Sequence, residues 1–441
     1  MRIDRLHLKN FRCYDDMEFA FSPQFNLIVG ENGAGKTAVL NGLAVAMGSW
    51  FLGIRGYDSR HIQDNDIRRI VRFVDKKFLQ SPQFPVSVSA VGSIAGRTLA
   101  WERTLEGPGG RTTQKKAGKI KAIAEEFESK VMKGEEVILP VISFYGAGRL
   151  WNEPKDTRSI IEKYKIRRVA PQDFATDIKD DNDVDYFSHR FTGYHYSVDD
   201  RCSPKDLLRW MRHERRIEID EEEQSSSFRM VLSAIQSCLP ENEKVRYSIK
   251  HGSLMITMKD KSIVPFHYLS DGYKNIIALV GDIAYKISQL NPRLGAEALH
   301  RTPGIVLIDE LDEHLHPKWQ RRVVSDLRRT FKAVQFFGAT HSPQIIGEVA
   351  SEEVTMLKNH RPVLPSQSFG MDSNWILQVL MGADEQDPDI KEELHVVHKL
   401  ISDKKLVEAD KMIYELRQRI GNNEALQRAA STVERVRVFG R

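Results

Sequence analysis

The run Gly30-Glu31-Asn32-Gly33-Ala34-Gly35-Lys36-Thr37 sets glycines, a lysine and a hydroxyl at the spacing of a phosphate loop. The glycines let backbone N–H groups close around an anion, and a helix start behind them favours its charge. Lys36 is the candidate for the β- and γ-phosphates of a nucleoside triphosphate, and the Thr37 hydroxyl for Mg²⁺. A second constellation, Ile305-Val306-Leu307-Ile308-Asp309-Glu310, is an apolar run that ends in two carboxylates. In this Walker B arrangement Asp309 holds Mg²⁺ through water, and Glu310 orients or deprotonates the attacking water. The tail that follows brings His314 and His316 among further acids. It reads either as a metal cluster or as a loop that crosses a dimer interface; the apolar strand and the phosphate loop already account for the acids. His341 stands at the end of a further apolar run and could donate a hydrogen bond to a γ-phosphate, against the plainer reading of a packed or solvated histidine. Ser270-Asp271-Gly272 opens the helical pattern Ile276, Ile277, Leu279, Val280, Ile283 and Ile287. Alone it is a capped amphipathic helix, but the same geometry offers a hydroxyl, a glycine N–H and a positive helix end to an outside anion.

These groups need strands in front of them and helices behind. Residues 26–29 read as a buried strand and 37–47 as the helix after it. Leu6 and Leu8 alternate with His7 and Lys9, and Met17, Phe19 and Phe21 with Glu18 and Ala20, as strands do. Residues 86–90 and 99–103 suggest a hairpin, 137–145 a buried strand, and 305–308 and 334–338 two more. The basic stretch 109–121 reads as an exposed loop. From 151 to 241 charges are dense and short helical patterns alternate with breaks; strand texture returns over 246–258. After about Gly370 the chain reads as helical, with Gly421 as a helix stop. There, Ile390, Leu394, Val397, Leu400 and Ile401 form one apolar stripe, and Leu406, Ala409, Met412, Ile413 and Leu416 another. Such stripes pack on each other or on the parent domain, or else dock a partner.

The chain has 441 residues, 41% apolar and 29% charged, an ordinary globular composition with room for more than one domain. Three scattered cysteines give no disulfide framework and point to a reducing, cytoplasmic setting. No apolar stretch reaches membrane-spanning length, and Met1 is followed by alternating charge rather than a signal segment. A net charge of +4 leaves only local basic patches as candidates for DNA: Arg111, Lys115, Lys116, Lys119 and Lys121, and Lys163, Lys165, Arg167 and Arg168. The acidic run from Asp180 lacks the glycine and final glutamate of a calcium loop.

Taken in order, the motifs resemble those of SMC/RecF-type ATPases. Leu269-Ser270-Asp271-Gly272-Tyr273 resembles the Leu-Ser-Gly-Gly-Gln signature of ABC-type ATPases, keeping the serine and the second glycine. The opening Leu6-His7-Leu8-Lys9-Asn10-Phe11-Arg12 and the tail of the acidic pair resemble RecF-like heads. Four segments, around Phe144-Tyr145-Gly146-Ala147-Gly148-Arg149, Ser270, Asp309 and Trp375, are similar to the ATPases of Septu antiphage systems, the PtuA family. The resemblance implies an α/β fold, an ABC/SMC-type P-loop head with a mainly helical insertion and a helical C-terminal segment. It divides the chain into 1–150 with the phosphate loop, the insertion 151–241, the second half of the head 242–370, and the segment 371–441. It implies an ATPase using ATP and Mg²⁺ that dimerises around ATP, with Ser270 and Gly272 reaching the partner copy's γ-phosphate. For the Septu family it further implies regulation of a partner HNH nuclease, with DNA as the substrate of the complex. In this chain the roughly hundred residues after His341 read as helices, which leaves no room for a nuclease built on acid-tipped strands. The rival readings are a RecF-like repair ATPase and a regulatory scaffold with little turnover. No Q-loop glutamine is evident, and residues 145–149 are the substitute at hand.

Overall fold

Strand texture at the start of the chain becomes Arg2–Phe11 (β1) and Tyr14–Ala20 (β2), an antiparallel hairpin. Leu6 and Leu8 are buried as their alternation requires, and a bulge between Ile3 and Arg5 re-phases β1 so that Ile3 is buried too. Phe25–Gly30 (β3) is buried at every position and runs through the phosphate loop into Lys36–Met47 (α1). The ribbon Arg69–Val74 (β4) and Lys77–Pro82 (β5) pairs with itself, and Val86–Ile94 (β6) with Arg97–Leu105 (β7) is the expected hairpin. The expected loop holds over 109–114, but its end is corrected: Gly118–Met132 is a helix (α2) that buries Ile120, Ile123, Ala124 and Phe127. That helical spacing lies beneath a surface of lysines and glutamates. The strand expected from 137 begins later, as Val141–Tyr145 (β8).

Pro204–Asp220 (α3) and Ser226–Cys238 (α4) follow. Lys244–Ser248 (β9), Ser253–Thr257 (β10) and Ile263–Pro265 (β11) form a small antiparallel sheet. Asp271–Leu290 (α5) is buried from Asn275 to its end and packs on α4. Gly304–Ile308 (β12), Pro317–Thr330 (α6) and Val334–Thr340 (β13) complete the predicted core. Val354–Lys358 (β14) and Arg361–Val363 (β15) correct the expectation that everything after His341 is helical. β14 pairs parallel to β3, but a five-residue strand in a covered sheet shows no alternation to read.

The central sheet has the order β15-β14-β3-β13-β12-β8, parallel from β14 to β8, with β15 antiparallel at its edge. The second sheet runs β2-β1-β6-β7. α1 touches strands of both sheets, which explains why it is apolar on every side. Its approach is close: a Cβ on Gly42 would lie 2.6 Å from Leu8 Cδ2, and Trp101 Nε1 donates to the Ala46 carbonyl at 2.9 Å. The architecture is the expected α/β one.

The computed structural model describes residues 1–74, 77–147, 189–198, 204–222, 224–240, 243–382, 388–421 and 424–440. The described chain divides into two units, Met1–Ser373 and Asn374–Arg441. In the second, Pro388–Ser402 (α7), Leu406–Ile420 (α8) and Glu424–Phe439 (α9) pack around Val397, Ala409, Leu416, Leu426 and Val433. The apolar stripes of α7 and α8 face each other and α9. Gly421, at φ 76°, ends α8. No helix among the described residues is long and apolar enough to cross a membrane.

Candidate nucleotide site

Five parallel strands end at one edge of the sheet, and the motif residues sit on the tips of β3, β12 and β13. The phosphate loop leaves β3 and turns into α1 through Gly35, whose φ of 105° suits glycine alone. A Cβ there would fall 2.5 Å from Tyr14 Oη and 2.9 Å from Cys13 Sγ, so the β1–β2 turn presses directly on the loop. Tyr14 Oη also donates to the Gly35 carbonyl at 3.2 Å. On the far side, a ring nitrogen of His360, in the β14–β15 turn, lies 3.1 Å from the Ala34 carbonyl. Lys36 is buried and folds back on its own loop, donating to the carbonyls of Gly30 at 2.9 Å and Glu31 at 3.0 Å. Burial lowers its pKa, against the opposing pull of Asp309, Asp312 and Glu310.

Thr37 Oγ1 donates to Asp309 Oδ2 at 2.9 Å, which joins the phosphate loop to the tip of β12. Asp309 is buried, and its N–H donates to the Tyr145 carbonyl at the end of β8 at 2.7 Å. Glu310 is the next residue yet is exposed, because the chain turns there at φ 47°. A carboxylate-bearing residue in left-handed backbone stores strain and directs the side chain away from its neighbour. Beyond it, Leu311 packs beneath Gly338, and Asp312 accepts from Thr340 Oγ1 and from the His341 N–H. The tail is thereby fastened to the tip of β13, beside His341. Burial lowers the His341 pKa and the Lys36 ammonium lowers it further, partly opposed by Asp312 and Asp309, which favours the neutral ring. A hard carboxylate and a hydroxyl within hydrogen-bond reach of each other, beside a lysine and a neutral histidine, are a donor set that suits Mg²⁺ and a triphosphate.

Ser270 occupies the N-cap position of α5, but its hydroxyl makes no capping bond and is exposed. This corrects the expected cap: the position is right and the bond is not formed. Gly272 packs so tightly that a Cβ would sit 2.7 Å from the His314 carbonyl oxygen. Asn275 Nδ2 donates to the Glu313 carbonyl at 2.7 Å. The first turn of α5 is therefore clamped to the tail of the acidic pair. The paired histidines of that tail have other partners: His316 caps α6 through the Lys318 N–H, and the His314 ring lies 3.5 Å from Glu313.

Tyr145 is not a free substitute for a Q-loop glutamine. It is fully buried, and its hydroxyl donates to Asp282 of α5 at 2.7 Å. Lys286 completes that buried cluster, 3.1 Å from Asp282 and 3.2 Å from Ser143 Oγ. Residues 148–150 lie outside the described residues, as do the basic cluster at 163–168, the acidic run from 180, and the first part of the expected insertion, 151–188. In the other basic cluster, Lys116 is paired with Glu102 at 2.9 Å and Lys121 with Glu125 at 3.6 Å.

The structure thus brings Lys36, Thr37, Asp309, Asp312 and His341 together, with Glu310 on their rim, and ties Gly272 to them through residues 313–314. Asp312, Asn275, Tyr14 and His360 escaped the sequence reading. Asp312 carries the only local hint, three residues after Asp309 in the acidic tail; the others meet the site through long-range contacts.

The family described as AAA domain matches residues 5–243, and one described as AAA ATPase domain matches residues 157–346. The chain is similar to the "Retron Ec83 probable ATPase" of Escherichia coli, 25% identical over 453 residues, 89% of this chain and 78% of that protein. It is similar to the "Septu protein PtuA" of Bacillus mycoides, 36% identical over 131 residues, 28% of this chain and 18% of that protein. Among solved structures, an SmcHead bound to the C-winged helix domain of ScpA aligns at 16% identity, with a TM-score of 0.46, over 83% of this chain and 98% of that one.

Proposed function

Because the chain belongs to the AAA domain family, as an SMC/RecF-like ATPase related to PtuA and the retron ATPases, we propose that two copies close head to tail around ATP to control a partner nuclease. The observation that carries the nucleotide half of this reading is the Thr37–Asp309 bond, which sets the two Mg²⁺-seeking groups side by side. The backbone N–H groups of residues 30–37 and the Lys36 ammonium bind the phosphates; among the described residues Lys36 has only loop carbonyls to give up for them. Thr37 and Asp309 hold Mg²⁺, directly or through water. When bound, the ion neutralises charge on the β- and γ-phosphate oxygens. Glu310 orients and deprotonates the attacking water, and the neutral His341 donates a hydrogen bond to the γ-phosphate.

Ser270 and Gly272 serve the other copy's ATP. The exposed, uncapped Ser270 hydroxyl and the open α5 N-terminus support this role. We read the chain in four parts divided at 150, 241 and 370; strands of the first and third parts share the central sheet, which supports treating them as one head. The similarity to PtuA supports a cytoplasmic antiphage complex in which a separate HNH chain supplies the nuclease chemistry and DNA is the substrate.

Purification from native expression tests the whole reading. An HNH chain should co-purify, and the complex should hydrolyse ATP. Recovery without such a chain, with turnover raised by DNA, would replace it with the repair-ATPase reading. ATP binding without turnover in either setting would leave a scaffold.

A further inference from the structure

The β4–β5 ribbon is a surface that the nucleotide chemistry does not use. Its two strands pair only with each other, from Arg69↔Pro82 to Val74↔Lys77. Directly opposed residues of a ribbon share a face, so Phe73 and Phe78 stand side by side, with Val71 and Gln80 next to them. Their rings are 5.1 Å apart and tilted by 54°. Phe73 is 65% exposed and Phe78 76%, which is far from a core role and costly to leave in water. A two-stranded ribbon by itself is marginally stable, and this one leaves both faces uncovered among the described residues.

Charge decides what covers it. Residues 68–74 hold Arg68, Arg69 and Arg72 and no acid, in a chain whose net charge is only +4. Among the described residues Arg72 forms no ion pair, while Arg68 and Arg69 are paired with Asp15 and Asp64, two exposed carboxylates whose hold is weak in salt. Unbalanced positive charge of this kind calls for an anionic partner. Exposed rings interleaved with cations are the makings of a surface on which bases stack and phosphates are neutralised.

We propose that the β4–β5 ribbon binds single-stranded nucleic acid, with bases stacking on Phe73 and Phe78 and phosphates reaching Arg69 on that face and Arg72 around the ribbon's edge. Every base has a π-face, so binding is tolerant of sequence; a duplex, whose bases are already stacked, binds less tightly. This site is independent of the ATP sandwich, and its test does not use turnover.

The experiment is fluorescence anisotropy of the full chain with labelled single-stranded DNA, single-stranded RNA of the same sequence, and the matching duplex, over a range of salt. Phe73→Ala/Phe78→Ala should raise the single-strand Kd roughly tenfold or more with an unchanged melting temperature. Arg72→Gln should lower the slope of log K against log salt by about 0.7, the share of one phosphate on a single strand. The DNA and RNA arms identify the source of the ligand. Equal Kd values for parent and double variant overturn the proposal. So does an unchanged Kd with loss of self-association in the double variant, which would give the ribbon to a second copy.

Discussion

The two poles of the proposed nucleotide machinery are finished to different degrees. At the phosphate-loop pole the polar groups are already satisfied within the chain: Lys36 on loop carbonyls, Thr37 on Asp309, Asp312 on Thr340 and His341. At the Ser270 pole the backbone is held as firmly, by the Gly272–His314 approach and the Asn275–Glu313 bond, but the serine hydroxyl makes no cap bond and faces solvent. A site that is complete in itself needs no such open end. The contrast teaches that rigidity here is shared between the poles, whereas unsatisfied chemistry is confined to one.

The sharpest way to break the comparison acts on the finished pole. Glu310→Gln keeps the shape and loses the base, so ATP binding should persist while turnover falls roughly 10²–10⁴-fold. Hydrolysis at the parental rate would remove Glu310 from the role. Next in size is complementation between poles. Lys36→Ala and Ser270→Arg proteins should each be inactive as homodimers, whereas their mixture should recover turnover through one intact composite site. Proven heterodimers that stay inactive would refute the head-to-tail arrangement.

Smaller effects sharpen the contrast. Gly272→Ala places a methyl 2.7 Å from the His314 oxygen and should cost about 1–3 kcal/mol in unfolding experiments. An unaltered melting temperature would show that the clamp on α5 is loose. Smallest is the serine pair. Ser342 accepts from the Ile345 N–H as a working cap, so Ser342→Ala should cost about 1 kcal/mol. Ser270→Ala breaks no cap bond, so stability should stay within about 0.5 kcal/mol while turnover drops. Equal destabilisation by the two substitutions would return Ser270 to an ordinary capping role.

The phosphate loop, the acid-tipped β12 and the α5 start were legible because each is local: glycine spacing, an apolar run, a helical period. What was not legible depends on neighbours distant in sequence. β14 is five residues long and owes its existence to pairing with β3. The α2 stripe was there to be read, but lysines and glutamates around it looked like a loop. The ribbon β4–β5 lacks a buried face, so alternation carries no signal there. His360 and Tyr14 reach the phosphate loop only because two separate turns fold against it. Tyr145 illustrates the opposite failure: its place at a strand tip suggested a ligand contact, and its partner Asp282, 137 residues away, consumes the hydroxyl.

The left-handed backbone at Glu310 sets survival of the fold against survival of the activity. A glycine at φ 47° would relieve strain of about 1 kcal/mol or more, less what its own flexibility costs in the unfolded chain. Glu310→Gly should therefore melt no earlier than the parent and lose at least as much turnover as Glu310→Gln. A laboratory selection that rewarded only heat resistance would have no reason to keep the glutamate and some reason to discard it. On the proposed role, the glutamate is kept for hydrolysis and not for the fold.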